Sequence, residues 1–202
     1  MKFLKIFLFI YLFFSSHNLL AEGNAKNWLK KEIDIILAAY KNENLPNENR
    51  FLMIEQTINN NFAGTGIAKF VSGKAWSDAN KEVKKRYINL FKRHLALNIA
   101  AMMQSYSNQT YVLKNSKYIE KNKVSLIDME IVSDNNAILV SWRLIKSKDR
   151  FFVIDLVIAD ISLVETKRSE FNSMLKNVDY NLDEFNKLLE NQNNLSYKKI
   201  IK

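Results

Sequence analysis

Few side chains in this sequence are of the types that carry covalent or acid–base chemistry. The chain has no cysteine and two histidines, and one of these, His17, belongs to an N-terminal apolar segment. The usual zinc ligand sets and cysteine–histidine catalysis are therefore excluded. The other histidine, His94, falls on the apolar side of a long predicted helix, where a hydrogen-bonded imidazole of the core or of a pocket edge is expected. We predict no enzyme activity, no cofactor and no metal site.

Asp155 is the one acid placed where unusual chemistry is conceivable, because it interrupts the apolar run from Phe151 to Ala159. A carboxyl group held in such a strand could retain a proton and act as a base, which would suit an enzyme or a small-ligand receptor on a cone-shaped α+β scaffold. Alternatively, Asp155 is a structural acid at the sheet rim, paired with an arginine such as Arg168 or bonded to backbone amides. We favour the structural interpretation, and both remain hypotheses at this point.

The apolar run itself predicts a strand that is covered on both faces. Ser162 follows at a position that suits the N-cap of a helix, and that helix carries Arg168 and Phe171. A buried strand that leads into a helix, in a chain with almost no catalytic side chains, favours a container over a catalyst.

The N-terminus has the pattern of a cleaved export signal. Lys2 and Lys5 precede an apolar run that is shorter than the roughly 20 residues needed to span a bilayer, and Ala21 is a suitable cleavage position. We therefore expect residues 1–21 to be a signal peptide and the mature protein to be soluble and periplasmic. Because the mature chain has no cysteine, its stability must come from burial without disulfides.

The chain is basic, with a formal net charge of +9 that falls to +7 when the two lysines of residues 1–21 are removed. Most of the lysines and arginines of the long central helix fall on its solvated side. We predict no nucleic-acid binding, because an export signal is present and a recognition motif is not. An anionic membrane surface or an acidic protein is the partner class that this charge favours.

The order of the predicted elements is typical of a single α+β domain over residues 22–202. Helices occupy the N-terminal half, an antiparallel meander of about four strands follows, and two helices of about 163–178 and 182–191 close the chain. The basic tail, 192–202, is expected to fray. No repeat and no long linker divides the sequence, and we expect a monomer.

An ordered series of motifs resembles the MlaC-type periplasmic phospholipid carriers, also called the toluene-tolerance auxiliary family, of the Mla pathway. The resemblance covers roughly residues 30–190. It rests on an aromatic that precedes a capped helix at Trp76, on Arg86-Tyr87 and Phe91 within that helix, and on Tyr106 followed by polar residues and a strand. The most specific part is a set of residues at the last strand and helix: Asp155, Ser162, Arg168 and Phe171.

Two departures from the family pattern concern the same strand. The family usually has glycine before the pair that corresponds to Ile161-Ser162, and this chain has Asp160. The family often has tryptophan at the strand start, where this chain has Phe151. Both departures weaken a transfer of roles at the pocket mouth and leave the order of elements intact.

The resemblance implies a carrier that binds glycerophospholipid and exchanges it between an outer-membrane lipoprotein–porin complex and an inner-membrane ABC transporter with a lipid-binding ring. A carrier for another lipid, such as a hopanoid, remains an alternative. Such a carrier needs an apolar cavity between helices and strands. The residues expected to line its wall are Trp76, Tyr87, Phe91, Leu95, Met102, Val140, Trp142, Phe152, Ile154 and Phe171.

Overall fold

In the N-terminal half of the chain, apolar residues recur at spacings of three and four, and this half is helical. The computed structural model describes residues 24–106, 109–133 and 136–202, so the predicted signal peptide, 1–21, lies outside the described residues. No helix in these ranges is long and apolar enough to cross a membrane. The N-terminal helices are α1 (24–41), α2 (Asn47–Asn61), α3 (Gly64–Ser72), α4 (Ala75–Asp78) and α5 (Lys81–Met103).

A twisted antiparallel sheet follows in which strands adjacent in sequence are adjacent in space. The first four strands form the predicted meander, and the last is a two-residue strand. The order of helices, meander and helices confirms the predicted α+β fold. The bounds are β1 (Thr110–Ile119), β2 (Val124–Ser133), β3 (Asn136–Ser147), β4 (Arg150–Ile158), β5 (Ile161–Ser162), α6 (Leu163–Lys176) and α7 (Leu182–Ile200).

A β-bulge at Ile154 interrupts the pairing of β3 with β4. Arg143 pairs with Asp155 and Leu144 pairs with Val153, so Ile154 is the extra residue on β4. A bulge of this kind shifts the alternation of side chains between the two faces of a sheet. As a result, Val153 and Leu156 share the inner face of the sheet, and Asp155 lies on the outer face.

The helix α7 continues well beyond residue 191, where the sequence predicted its end. The tail expected to fray, 192–202, is helical to Ile200, and the Asn193 and Ile200 side chains are buried. The Asn193 amide donates to the Leu90 carbonyl oxygen at 2.9 Å, and the Gln104 amide donates to the Ile200 carbonyl oxygen at 3.3 Å. These contacts with α5 order a segment whose own composition is polar and basic.

The helical half of the core is solid, and aromatic rings fill it. Tyr87 and Phe91 of α5 pack against Phe171 of α6 and Phe185 of α7, with ring centroids 5.0 to 6.1 Å apart. All four side chains are completely buried. Edge-to-face contacts of this kind add to the stabilisation that burial provides.

His94 lies within this helical core and not at a pocket edge. Its Nδ1 is 3.1 Å from the Asn193 side-chain oxygen, and the Asn193 amide nitrogen donates elsewhere, so the Nδ1–H of a neutral imidazole donates to Asn193. The ring packs 5.3 Å from that of Phe171. Burial, with a smaller contribution from the Lys167 ammonium, lowers the pKa of His94 to about 4.

The turn between β4 and β5 explains the glycine that the family prefers before the Ile161-Ser162 pair. Neither residue of this two-residue turn is glycine, and both are left-handed: Ala159 has φ 47° and Asp160 has φ 65°. That geometry is the type I′ hairpin turn, which favours glycine and asparagine. Aspartate tolerates the left-handed region better than most residues, whereas alanine does not.

Replacing Ala159 by glycine should therefore stabilise the protein by about 0.5–1 kcal/mol, because glycine adopts a positive φ without steric cost. Urea unfolding of the two proteins measures the difference. The matched control is Ala101→Gly at an exposed position in the last turn of α5, which should cost up to about 1 kcal/mol. Equal destabilisation by both substitutions would contradict the assignment of strain to Ala159.

The buried His94 predicts a dependence of stability on pH. Because the unfolded state binds the imidazole proton more tightly, the free energy of unfolding should fall as the pH falls from about 6.5 to about 4, by roughly 3 kcal/mol in total. Urea unfolding at several pH values across this window measures the slope. The variant His94→Gln should lose this component of the slope, and an unchanged slope would show that other groups cause it.

Candidate functional site

An apolar cavity of about 420 Å³ lies between the inner face of the sheet and the helices α1, α2 and α5. The helical wall consists of Trp28, Leu29, Ile33, Ile36, Leu37, Ile54, Ile58, Ile99, Met102 and Met103. The strand wall consists of Met129, Ile131, Ile138, Val140, Trp142, Val153, Leu156 and Ile158. Walls of this composition suit a long apolar ligand.

Polar side chains line the cavity in two places. Glu32, Thr57 and Asn61 lie at the seam between α1 and α2. The Asn61 amide donates to the Glu32 carboxylate at 2.6 Å across this seam. The other polar stretch is the connection from α5 to β1, with Ser105, Tyr106, Gln109, Thr110 and Tyr111.

Helix α1 covers the cavity and is attached to the sheet through polar bonds at its flank. The Tyr111 hydroxyl donates to the Asp34 carboxylate, and the Lys26 ammonium donates to the Lys114 carbonyl oxygen at 2.8 Å. Hydrogen bonds from Lys30 and then from Tyr111 lower the pKa of Asp34. Burial and the Asp34 carboxylate raise the pKa of Tyr111. Both shifts favour an ionised Asp34 and a protonated Tyr111 at neutral pH, which are the states in which the hydroxyl donates to the carboxylate.

Of the residues that the sequence predicted for the cavity wall, Met102, Val140 and Trp142 line it. The other predicted residues lie elsewhere. Tyr87, Phe91 and Phe171 belong to the aromatic cluster of the solid helical core, and Leu95 is buried in the same core. They fall on the apolar face of their helices, and that face points into packed side chains over most of its length.

The remaining predicted wall residues also lie away from the cavity. Trp76 of α4 lies beside the Lys84 ammonium, 5.5 Å from its ring centroid. Phe152 packs under the Arg150 guanidinium at 5.2 Å. Ile154 is the bulged residue, so N-terminal to the bulge Val153 faces the cavity, where regular alternation from Leu156 would place Ile154 and Phe152.

The cavity residues that sequence reasoning missed come mainly from α1. Its apolar stripe of Leu29, Ile33, Ile36 and Leu37 was visible as a helix face, and Trp28 adjoins it. A stripe of this kind indicates burial without saying whether the opposing space is filled or empty. On β4 the bulge concealed Val153, whereas Leu156 and Ile158 continue the alternation from which Phe152 and Ile154 were predicted.

Asp155 ties β4 to the start of α6. Its carboxylate accepts hydrogen bonds from the Ser162 hydroxyl at 2.7 Å, from the Val164 N–H at 3.1 Å and from Arg143 at 3.0 Å. Ser162 is the N-cap of α6, as the sequence predicted, and its hydroxyl accepts from the Glu165 N–H. The geometry matches a structural acid bonded to a backbone amide, and Asp155 does not line the cavity.

Arg168 does not pair with Asp155, which was the partner suggested from sequence. Its guanidinium lies 4.2 Å from the ring centroid of Phe70 on α3, and Arg143 of β3 takes the place beside Asp155. Arg143 reaches the Asp155 carboxylate directly, because residues 143 and 155 are paired across β3 and β4. Arg168 instead contributes to the packing of α6 against α3.

In the described part of the chain, no three His, Asp or Glu side chains come together as metal ligands would. Burial raises the pKa of Tyr87 and lowers that of His94, and both groups lie in the helical core. On the cavity lining, burial and the Asp34 carboxylate raise the pKa of Tyr111, so its hydroxyl keeps its proton and donates to Asp34. The arrangement therefore offers binding of an apolar ligand as its evident chemical capability.

Replacing Asp155 by alanine should lower the free energy of unfolding by about 3 kcal/mol, because it leaves the Ser162 hydroxyl and the Val164 N–H without their charged acceptor. Urea unfolding measures the loss. The control is Glu190→Ala, whose ion pair with Arg86 at 2.8 Å is solvent-exposed and should be worth less than about 1 kcal/mol. Similar small losses in both variants would contradict the structural role.

Comparisons with known proteins agree with this architecture. The family model for the MlaC protein matches residues 30–191. The fold is similar to that of the phospholipid-binding protein from Ralstonia solanacearum, solved in complex with a phospholipid: the TM-score is 0.71, the sequences are 18% identical, and the match covers 84% of this chain and 96% of that chain. No curated protein matches significantly in sequence. Because the family model spans most of the sequence, this chain belongs to the MlaC family.

Proposed function

We propose that this protein binds glycerophospholipid, with acyl chains in the apolar cavity, and carries the lipid through the periplasm. The observation that carries the proposal is the cavity of about 420 Å³ between α1 and the sheet, whose wall is almost entirely apolar. Its size lies within the range of ligand pockets in proteins. Trp28, Met102, Val140 and Trp142 are the wall residues that we expect to contact the chains.

The physical need for a carrier follows from the hydrophobic effect. A phospholipid with two long chains has about 30 methylenes, and transfer of each from an apolar phase to water costs about 0.8 kcal/mol, or more than about 20 kcal/mol in all. Free diffusion between two membranes is therefore negligible. A protein that encloses the chains removes most of this cost without any covalent step, so no enzyme activity is required.

Family membership and the phospholipid-bound neighbour support the cargo class. The predicted signal peptide, cleaved near Ala21, supports export to the periplasm. We further propose that the protein is a monomer that exchanges lipid between an outer-membrane lipoprotein–porin complex and an inner-membrane ABC transporter with a lipid-binding ring, as the family resemblance implies. The two methionines of the wall, Met102 and Met103, suit chains of varied length because thioether side chains repack easily.

Tryptophan fluorescence offers a direct test, because the chain has three tryptophans and the structure separates them. Trp28 and Trp142 line the cavity, whereas Trp76, which belongs to α4, lies beside Lys84 of α5. After incubation with vesicles of phospholipid brominated on its acyl chains, the emission of Trp28 and Trp142 should be quenched, because bromine quenches indole only at close range.

The three variants that each keep a single tryptophan supply the matched control. The protein that keeps Trp76 should retain most of its emission, and the two that keep Trp28 or Trp142 should lose most of theirs. Quenching of Trp76 equal to that of Trp142, or no quenching of any tryptophan, would overturn the proposed cavity.

A further inference from the structure

A polar depression of about 320 Å³ adjoins the apolar cavity at the seam between α1 and α2. Glu32, Thr57 and Asn61 line both spaces, so these three side chains stand at the junction between them. The rest of the depression is formed by α1, α2 and the first residue of β4, Arg150. A lipid whose chains fill the cavity could therefore place its headgroup in this depression.

The two charged residues of the depression, Glu32 and Arg150, are not paired with each other or with another ionic group in the described part of the chain. Glu32 accepts one hydrogen bond, from Asn61 to Oε2, and its other oxygen has no protein donor there. Arg150 donates through Nη2 to the Asn60 carbonyl oxygen at 2.9 Å, and its guanidinium lies 5.2 Å from the Phe152 ring centroid. Its Nη1 and Nε have no hydrogen-bond acceptor among the described residues. One carboxylate and one guanidinium thus retain bonding capacity at the same opening.

The other polar edge of the cavity, at the connection from α5 to β1, differs in its charge and in its unused bonding capacity. The residues that line the cavity there carry no charged side chain. A second polar depression, of about 280 Å³, adjoins the cavity at this edge through Met103 and Tyr106, and Arg50 lines it. The Arg50 Nη1 donates to Asn47, its Nη2 donates to the Asn42 carbonyl oxygen, and its guanidinium lies 5.5 Å from the Tyr40 ring centroid. Both Nη groups of Arg50 are engaged, and its Nε is unpartnered but buried away from the surface. The seam between α1 and α2, which offers both a carboxylate and a guanidinium, is therefore the better candidate for a headgroup site.

We infer that this seam is a headgroup site selective for zwitterionic phospholipids, in which Arg150 binds the phosphate and Glu32 binds an ammonium group. The inference rests on the proposed function, since it requires a phospholipid in the cavity. An anionic headgroup offers Arg150 the same phosphate but leaves the Glu32 charge without a counterion. The depression therefore binds phosphoethanolamine in preference to phosphoglycerol.

A competition experiment tests this selectivity. The protein, freed of bound lipid, is incubated with vesicles of phosphatidylethanolamine and phosphatidylglycerol in equal amounts and with identical chains, and is then isolated. Mass spectrometry of the extracted lipid gives the ratio of the two. The wild-type protein should enrich phosphatidylethanolamine roughly fivefold, the size expected for one solvent-exposed charge contact.

Two variants separate the roles of the charges. Glu32→Gln keeps an acceptor for Asn61 and should bring the ratio close to that of the vesicles. Arg150→Gln should reduce the recovery of both lipids and leave the ratio unchanged. Glu43→Gln and Lys31→Gln are the matched controls, because they remove the same charges near α1 at positions that do not line either space, and they should behave as the wild type does.

The readout distinguishes failure of the inference from failure of the proposed function. The ratio is internal to each sample, so it does not depend on how much of a variant is folded. Bound lipid in the vesicle ratio, or an equal effect of Glu32→Gln and Glu43→Gln, would overturn headgroup selection and leave the carrier intact. Recovery of no phospholipid with the wild type would overturn both.

Discussion

The bulge at Ile154 determines what each face of the sheet can do. On its N-terminal side Val153 faces the cavity, and on its C-terminal side Leu156 and Ile158 do, which regular alternation could not achieve. The same shift turns Asp155 to the outer face, where it accepts bonds from Ser162 and the first turn of α6. One extra residue therefore gives β4 an apolar inner face for a ligand and a polar outer anchor for the C-terminal helices.

The domain divides into a solid half and a hollow half. In the solid half, α5, α6 and α7 enclose aromatic rings and the neutral His94, and asparagines of α7 bond to carbonyl oxygens of α5: Asn186 to Val83 and Asn193 to Leu90. These bonds are seven residues apart on both helices, so they fix the register of two parallel helices. The hollow half has α1 on one side and the sheet on the other, and the bonds that attach α1 there come from polar residues at the edges of the cavity, among them Asn61 to Glu32 and Tyr111 to Asp34.

Local patterns in the sequence were sufficient for the fold class, for the meander and for the N-cap at Ser162. They also identified Val140 and Trp142 on the inner face of the sheet, because β3 keeps a regular alternation, and Met102 on the helical wall near the end of α5. Periodicity could not separate a face that packs against rings, such as that of Tyr87 and Phe91, from a face that borders empty space. It also could not detect the bulge, since an inserted residue in an apolar run leaves every residue apolar.

The hollow has an energetic consequence that accounts for the solid half. The residues that line the hollow lack packing partners on one side, so they stabilise the empty protein less than a filled core would. Because the net stability of a typical domain is only about 5–15 kcal/mol, the buried aromatic cluster and the bonds between α5 and α7 have to compensate for these missing contacts. An apolar ligand that fills the space restores the lost contacts, and the release of that ligand is correspondingly opposed until a more favourable apolar environment receives it.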